Sequence, residues 1–123
     1  MNEEGTEYME QELFLPVLSH FENGNFWTAS GGRMRYRVDP VKEEDVWTSL
    51  KAQVWEGPWS LADSTVEETV SFPLTEEGLE ELRAWALSWQ ERINARPART
   101  LAETIQARDA LRQARQAQED TAG

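Results

Sequence analysis

Hydrophobic and polar residues alternate strictly from Arg33 to Val38. Met34, Tyr36 and Val38 fall on one side and Arg33, Arg35 and Arg37 on the other. That period of two marks a strand with one buried face, and Asp39-Pro40 is expected to end it. Alternation returns over Val46–Trp55, with Leu50, Ala52 and Val54 on one side and Trp47, Lys51, Gln53 and Trp55 on the other, until Gly57-Pro58. Val66–Phe72 reads as a further strand, although Glu68 falls on its apolar phase. This places the start of the regular strand nearer Thr69, or Glu68 at an open edge. Upstream, the apolar run Glu12–His20 contains Pro16. Proline disfavours a helix interior and a central strand, so the run is expected to be an edge or irregular strand, with a short helix opening near Pro16 as the alternative. Asn23-Gly24 predicts a hairpin turn and Gly31-Gly32 a second reversal.

After Pro73 the period lengthens. Leu79, Leu82, Ala86, Trp89 and Ile93 recur at spacings of three and four, widened by Trp85, which predicts a helix over about 76–94 with Thr75 as its cap. Thr100-Leu101-Ala102-Glu103 has the form of a capping box. The Ala-, Gln- and Arg-rich stretch behind it predicts a second helix with a thinner stripe of Leu101, Ile105 and Leu111. Strands followed by helices imply an α+β fold: an antiparallel or mixed sheet of about four strands, covered on one face by the first C-terminal helix, with a second, weaker helix. Residues 1–10 are polar and aperiodic and read as a frayed acidic arm. Residues 11–96 form one domain, and 99–119 a peripheral or partner-docking helix.

Composition narrows the function classes. The 123 residues carry 23 acids against 12 bases, a formal charge of -11. Such a chain is a poor general ligand for nucleic acid or an acidic membrane, and its opening residues do not resemble a signal peptide. The charge is segregated. Residues 56–82 hold eight acids and no base, whereas residues 83–115 hold seven bases and three acids. There is no cysteine, which excludes disulfides, thiolate metal sites and cysteine nucleophiles.

The sequence holds no nucleophile-elbow, Ser-x-x-Lys or phosphate-loop motif, and no cofactor is expected. The one histidine, His20, reads as a polar residue beside a turn. Glu76 with Glu80, and Glu77 with Glu81, share helical faces; such pairs serve a metal or acid–base chemistry only with ligands from a second element, and otherwise form a solvated face. Six tryptophans are more informative. Trp47 and Trp55 are expected on the strand face opposite Leu50 and Val54, with Trp59 across the Gly57-Pro58 turn. They form either an exposed contact surface or a second small core. Arg33, Arg35 and Arg37 form a basic stripe that grips phosphate or the acidic side of another protein, or pairs within the chain with Glu67 and other acids.

Phe21-Glu22-Asn23-Gly24-Asn25, Thr28-Ala29-Ser30-Gly31, Met34-Arg35-Tyr36-Arg37-Val38, Val54-Trp55-Glu56-Gly57-Pro58-Trp59 and Phe72-Pro73-Leu74-Thr75-Glu76-Glu77-Gly78-Leu79 follow one another in order. Over about residues 21–90 the chain thereby resembles small Firmicutes proteins associated with phage or conjugative elements, a group without an assigned activity. The resemblance implies a cytoplasmic bacterial protein and supplies no catalytic residue.

Three functions follow as expectations. The first is a non-catalytic protein–protein interaction module, contacting another protein or a second copy of itself through the sheet face (Trp47, Trp55, Trp59, Arg33, Arg35, Arg37) or the C-terminal helix. The second is an acidic mimic of nucleic acid that inhibits a nucleic-acid-binding host factor through Glu76, Glu77, Glu80 and Glu81. The third is a small carboxylate-dependent enzyme or metal-binding module.

Overall fold

The computed structural model describes residues 13–122; the expected arm at residues 1–10 lies outside them. Four strands, β1 (Trp27–Gly31), β2 (Met34–Glu43), β3 (Val46–Glu56) and β4 (Glu68–Pro73), form an antiparallel sheet in the order β1-β2-β3-β4. A short helix α1 (Leu18–Glu22) precedes them, and α2 (Glu76–Asn94) and α3 (Leu101–Ala122) follow. The α+β class, the four-stranded sheet and its C-terminal helical cover are therefore as the hydrophobic pattern predicts, and the sheet is wholly antiparallel. No described helix is long and apolar enough to cross a membrane.

The core lies between one sheet face and α2. Met34, Tyr36, Val38, Leu50, Ala52 and Val54 are fully buried beneath Leu82, Ala86 and Ile93. Thr75 caps α2 through its side chain, accepting from the Gly78 amide at 2.9 Å. A Cβ on Gly78 would stand 1.9 Å from the Pro73 carbonyl oxygen, so the tight passage from β4 into α2 requires glycine there.

The apolar run before β1 follows the alternative of a short helix opening near Pro16 rather than the expected edge or irregular strand. Leu13–Val17 is extended but outside the sheet, and α1 follows it. Pro16 offers no amide to a ladder. Side chains satisfy the backbone instead: Tyr36 donates from its hydroxyl to the Phe14 carbonyl at 3.2 Å, and Arg83 donates to the Leu13 carbonyl. Leu13, Leu15 and Phe21 are buried in the core. The Asn23-Gly24 turn consequently joins α1 to β1 rather than two strands, with Gly24 at φ +86°.

β2 also runs five residues past the expected stop at Val38. Pro40 pairs with Leu50 of β3, while the pairing of β1 with β2 ends at Trp27 and Val38. Beyond that point the outer side of β2 faces no strand, and a missing amide breaks no ladder there. The reversal comes at Glu44-Asp45, both at positive φ, the backbone of a tight two-residue hairpin. Near it a register shift at Val41/Lys42 sets Lys42 opposite Trp47. This bulge breaks the alternation that would put Trp47 on the same strand face as Trp55. The Trp47 ring packs over Gly24, in the turn that follows Phe21 of the core, with the Lys42 ammonium 4.7 Å from its centroid.

Candidate functional site

The sheet face away from α2 carries Thr28 and Ser30 from β1, Arg35 and Arg37 from β2, and Gln53 and Trp55 from β3. The register sets Ser30 opposite Arg35 opposite Trp55, and Thr28 opposite Arg37 opposite Gln53. The segment after β3 turns back over this face through Pro58–Ala62, with a 3₁₀ turn at Leu61–Asp63. Sheet and segment enclose a groove of about 700 Å³ whose lining includes Thr28, Ser30, Arg35, Arg37, Trp55, Trp59 and Leu61. Among the described residues no carboxylate lines it. Of its described lining residues, Arg35 and Arg37 alone carry charge.

Two tryptophans build its wall. Trp55 is only 4 % exposed, and its indole donates to the Trp59 carbonyl at 2.9 Å. Trp59 is half-buried; its indole donates to the Thr104 carbonyl of α3 at 2.9 Å, and the Arg108 guanidinium stands 4.5 Å from its centroid. Thr104 is buried, and Arg112 and Arg115 bind Asp63 at 3.0 and 3.3 Å. The same short segment thus forms one wall of the groove and the dock for α3. The Arg112 hydrogen bond holds the Asp63 carboxyl below its ordinary pKa.

The three arginines of the expected stripe have separate duties. Arg33 closes the C-terminal end of α2, donating to the carbonyls of Asn94 at 3.1 Å and Arg96 at 2.7 Å and to Glu56 at 2.8 Å. It is a brace outside the groove. Arg37 lines the groove but pairs with Asp39 at 2.9 Å, which raises its pKa, and stacks 4.2 Å from the exposed ring of Phe26. Arg35 donates from Nη1 to the carbonyls of Gly32 at 2.6 Å and Met34 at 3.3 Å, and among the described residues no carboxylate answers its charge. The structure therefore brings Arg35, Arg37, Trp55 and Trp59 together and sets Arg33 and Trp47 elsewhere.

The acidic block divides. Glu56 is held by Arg33 at 2.8 Å and Arg96 at 3.1 Å, Glu67 by Arg96 at 2.9 Å, and Asp63 by α3. Glu68 lies on the α2 side of β4, where one oxygen accepts the indoles of Trp85 at 2.7 Å and Trp89 at 2.8 Å. These bonds, from Trp89 first and then Trp85, lower its pKa. Glu76, Glu77, Glu80 and Glu81 remain exposed on the first turns of α2, away from the groove; Glu80 is 3.8 Å from Arg83. Among the described residues no three His, Asp or Glu side chains gather as metal ligands. His20 bonds the Phe26 carbonyl at 2.9 Å beside Trp27.

Sequence reasoning missed Arg99. It precedes the cap residue Thr100, whose box with Glu103 forms as expected, at 2.8 and 3.1 Å. From there the Arg99 guanidinium reaches the Gly57 carbonyl at 3.5 Å. The capping box fixes where α3 begins, and with that where Arg99 is anchored, but no sequence signal shows which loop lies in front of it. Compared with protein-family models, with curated proteins and with solved structures, the chain matches none.

Proposed function

We propose that this protein is a non-catalytic binding module that takes an acidic, extended segment of another protein into the groove between the sheet and the Pro58–Ala62 segment. The supporting observation is Arg35: a cation without a carboxylate partner among the described residues, beside Trp55 and Trp59, in a groove free of carboxylates. An arginine fork offers bidentate bonds to a carboxylate, and the neighbouring apolar wall excludes water from them. Trp and Arg are also the side chains that dominate interface energies. The polyanion-mimic reading keeps the exposed Glu76, Glu77, Glu80 and Glu81 of α2 but has less support, because Glu56, Asp63, Glu67 and Glu68 of the same acidic block are already engaged within the chain.

Titration of the isotope-labelled protein with a synthetic peptide alternating Glu and Leu tests the proposal. Saturable shifts should concentrate on Thr28, Ser30, Arg35 and the Trp59 indole. Shifts spread over the exposed face of α2, or an equal response to a peptide alternating Lys and Leu, would overturn it. A second copy of this chain as the occupant would appear as a dimer in sedimentation before any peptide is added.

A further inference from the structure

The groove continues, past Arg35 and Pro58, into a smaller cleft of about 220 Å³ lined by Arg33, Arg35, Glu56, Gly57, Arg99 and the first turn of α3. Two guanidinium groups converge there on one glycine. A Cβ on Gly57 would lie 2.7 Å from the Arg35 guanidinium carbon, and Arg99 donates to the Gly57 carbonyl at 3.5 Å. The local charges do not cancel. Glu56 is satisfied by Arg33 and Arg96 and Glu67 by Arg96. Arg99 stands 3.9 Å from Glu56, beyond a hydrogen bond, and Arg35 has no carboxylate partner among the described residues. Among the described lining residues, Arg33, Arg35 and Arg99 thus face the single carboxylate of Glu56, a surplus matching a dianion. Nε and Nη2 of Arg35 and most N–H groups of Arg99 have no described acceptor.

We infer that this cleft is a phosphoryl seat, holding between Arg35 and Arg99 a phosphate ester carried by the segment that fills the groove. The inference rests on the groove reading above. A planar carboxylate takes one guanidinium fork well; a tetrahedral dianion with three terminal oxygens accepts from two forks at once. Gly57 lets the Arg35 guanidinium lie against the backbone at the cleft, since a Cβ there would collide with it.

The test compares two acidic peptides differing only in serine or phosphoserine, with inorganic phosphate as a separate probe, at fixed ionic strength. The phosphoserine peptide should bind about tenfold tighter, the expected order for added charge-assisted bonds. Arg99→Gln should abolish that gain and Arg99→Lys retain part of it, with both variants melting like the parent. Inorganic phosphate should shift the Nε–H signals of Arg35 and Arg99 saturably and leave that of Arg92 in place. Equal affinity for the two peptides, or an undiminished gain in Arg99→Gln, overturns the seat while the groove reading stands. Failure of both peptides to bind overturns the groove reading, and the phosphorylated segment with it.

Discussion

Glu68 shows how one side chain is fixed by its surroundings. By phase it belongs to the apolar side of β4, and two tryptophan indoles from α2 meet it there. Hydrogen bonds to the ionised form favour that form, so its folded pKa lies below the ordinary value of 4.5. A depressed carboxylate contributes stability that is present above its unfolded pKa and is lost as pH falls through the folded one. Glu68→Gln, neutral at every pH, should therefore flatten the decline of the melting temperature between about pH 5 and 3; an unchanged acid limb would contradict this. The arginines teach the converse. Alternation places Arg33, Arg35 and Arg37 at equal intervals, but their duties depend on neighbours distant in sequence. Arg33 meets the end of α2, Arg37 meets Asp39, and Arg35 meets no carboxylate among the described residues.

At the scale of elements, α2 was legible to the residue, because its cap, its first-turn carboxylates and its apolar spacing all lie within the helix itself. The length of β2 was not, because Pro40 is tolerated only where β1 has already ended, a relation between strands. The bulge that redirects Trp47 is hidden for the same reason. Trp89 joins α2 to the sheet through its buried ring and its bond to Glu68. Trp89→Ala should cost roughly 3–5 kcal/mol in chemical denaturation; a loss below about 1 kcal/mol would show that the ring carries little of the packing. The docking of α3 is slighter: Thr104 on Trp59, Arg108 over the same ring, and an exposed ion pair at Asp63. Truncation before Thr100 should leave one cooperative unfolding transition and red-shift tryptophan emission as Trp59 loses its cover. Collapse of that transition would place α3 in the core.

Over the whole molecule, net charge conceals the arrangement that matters. The chain is strongly acidic, yet Glu56, Asp63 and Glu67 are engaged in internal pairs, and the groove whose described lining is free of carboxylates carries arginine. The basic zone of residues 83–115 does not form a separate surface: Arg96 folds back to Glu56 and Glu67, and Arg112 and Arg115 to Asp63. The sequence blocks carry the charge segregation, whereas the fold decides which of Arg33, Arg35 and Arg37 lacks a carboxylate partner among the described residues. Calorimetric titration of the alternating Glu–Leu peptide into the parent protein and into Arg35→Glu is the most direct test. Binding to the parent should weaken at least about tenfold in Arg35→Glu, because a desolvated charged contact is replaced by repulsion, and the alternating Lys–Leu peptide should gain affinity for that variant. The same affinity of the Glu–Leu peptide for both proteins would contradict the groove as the binding site.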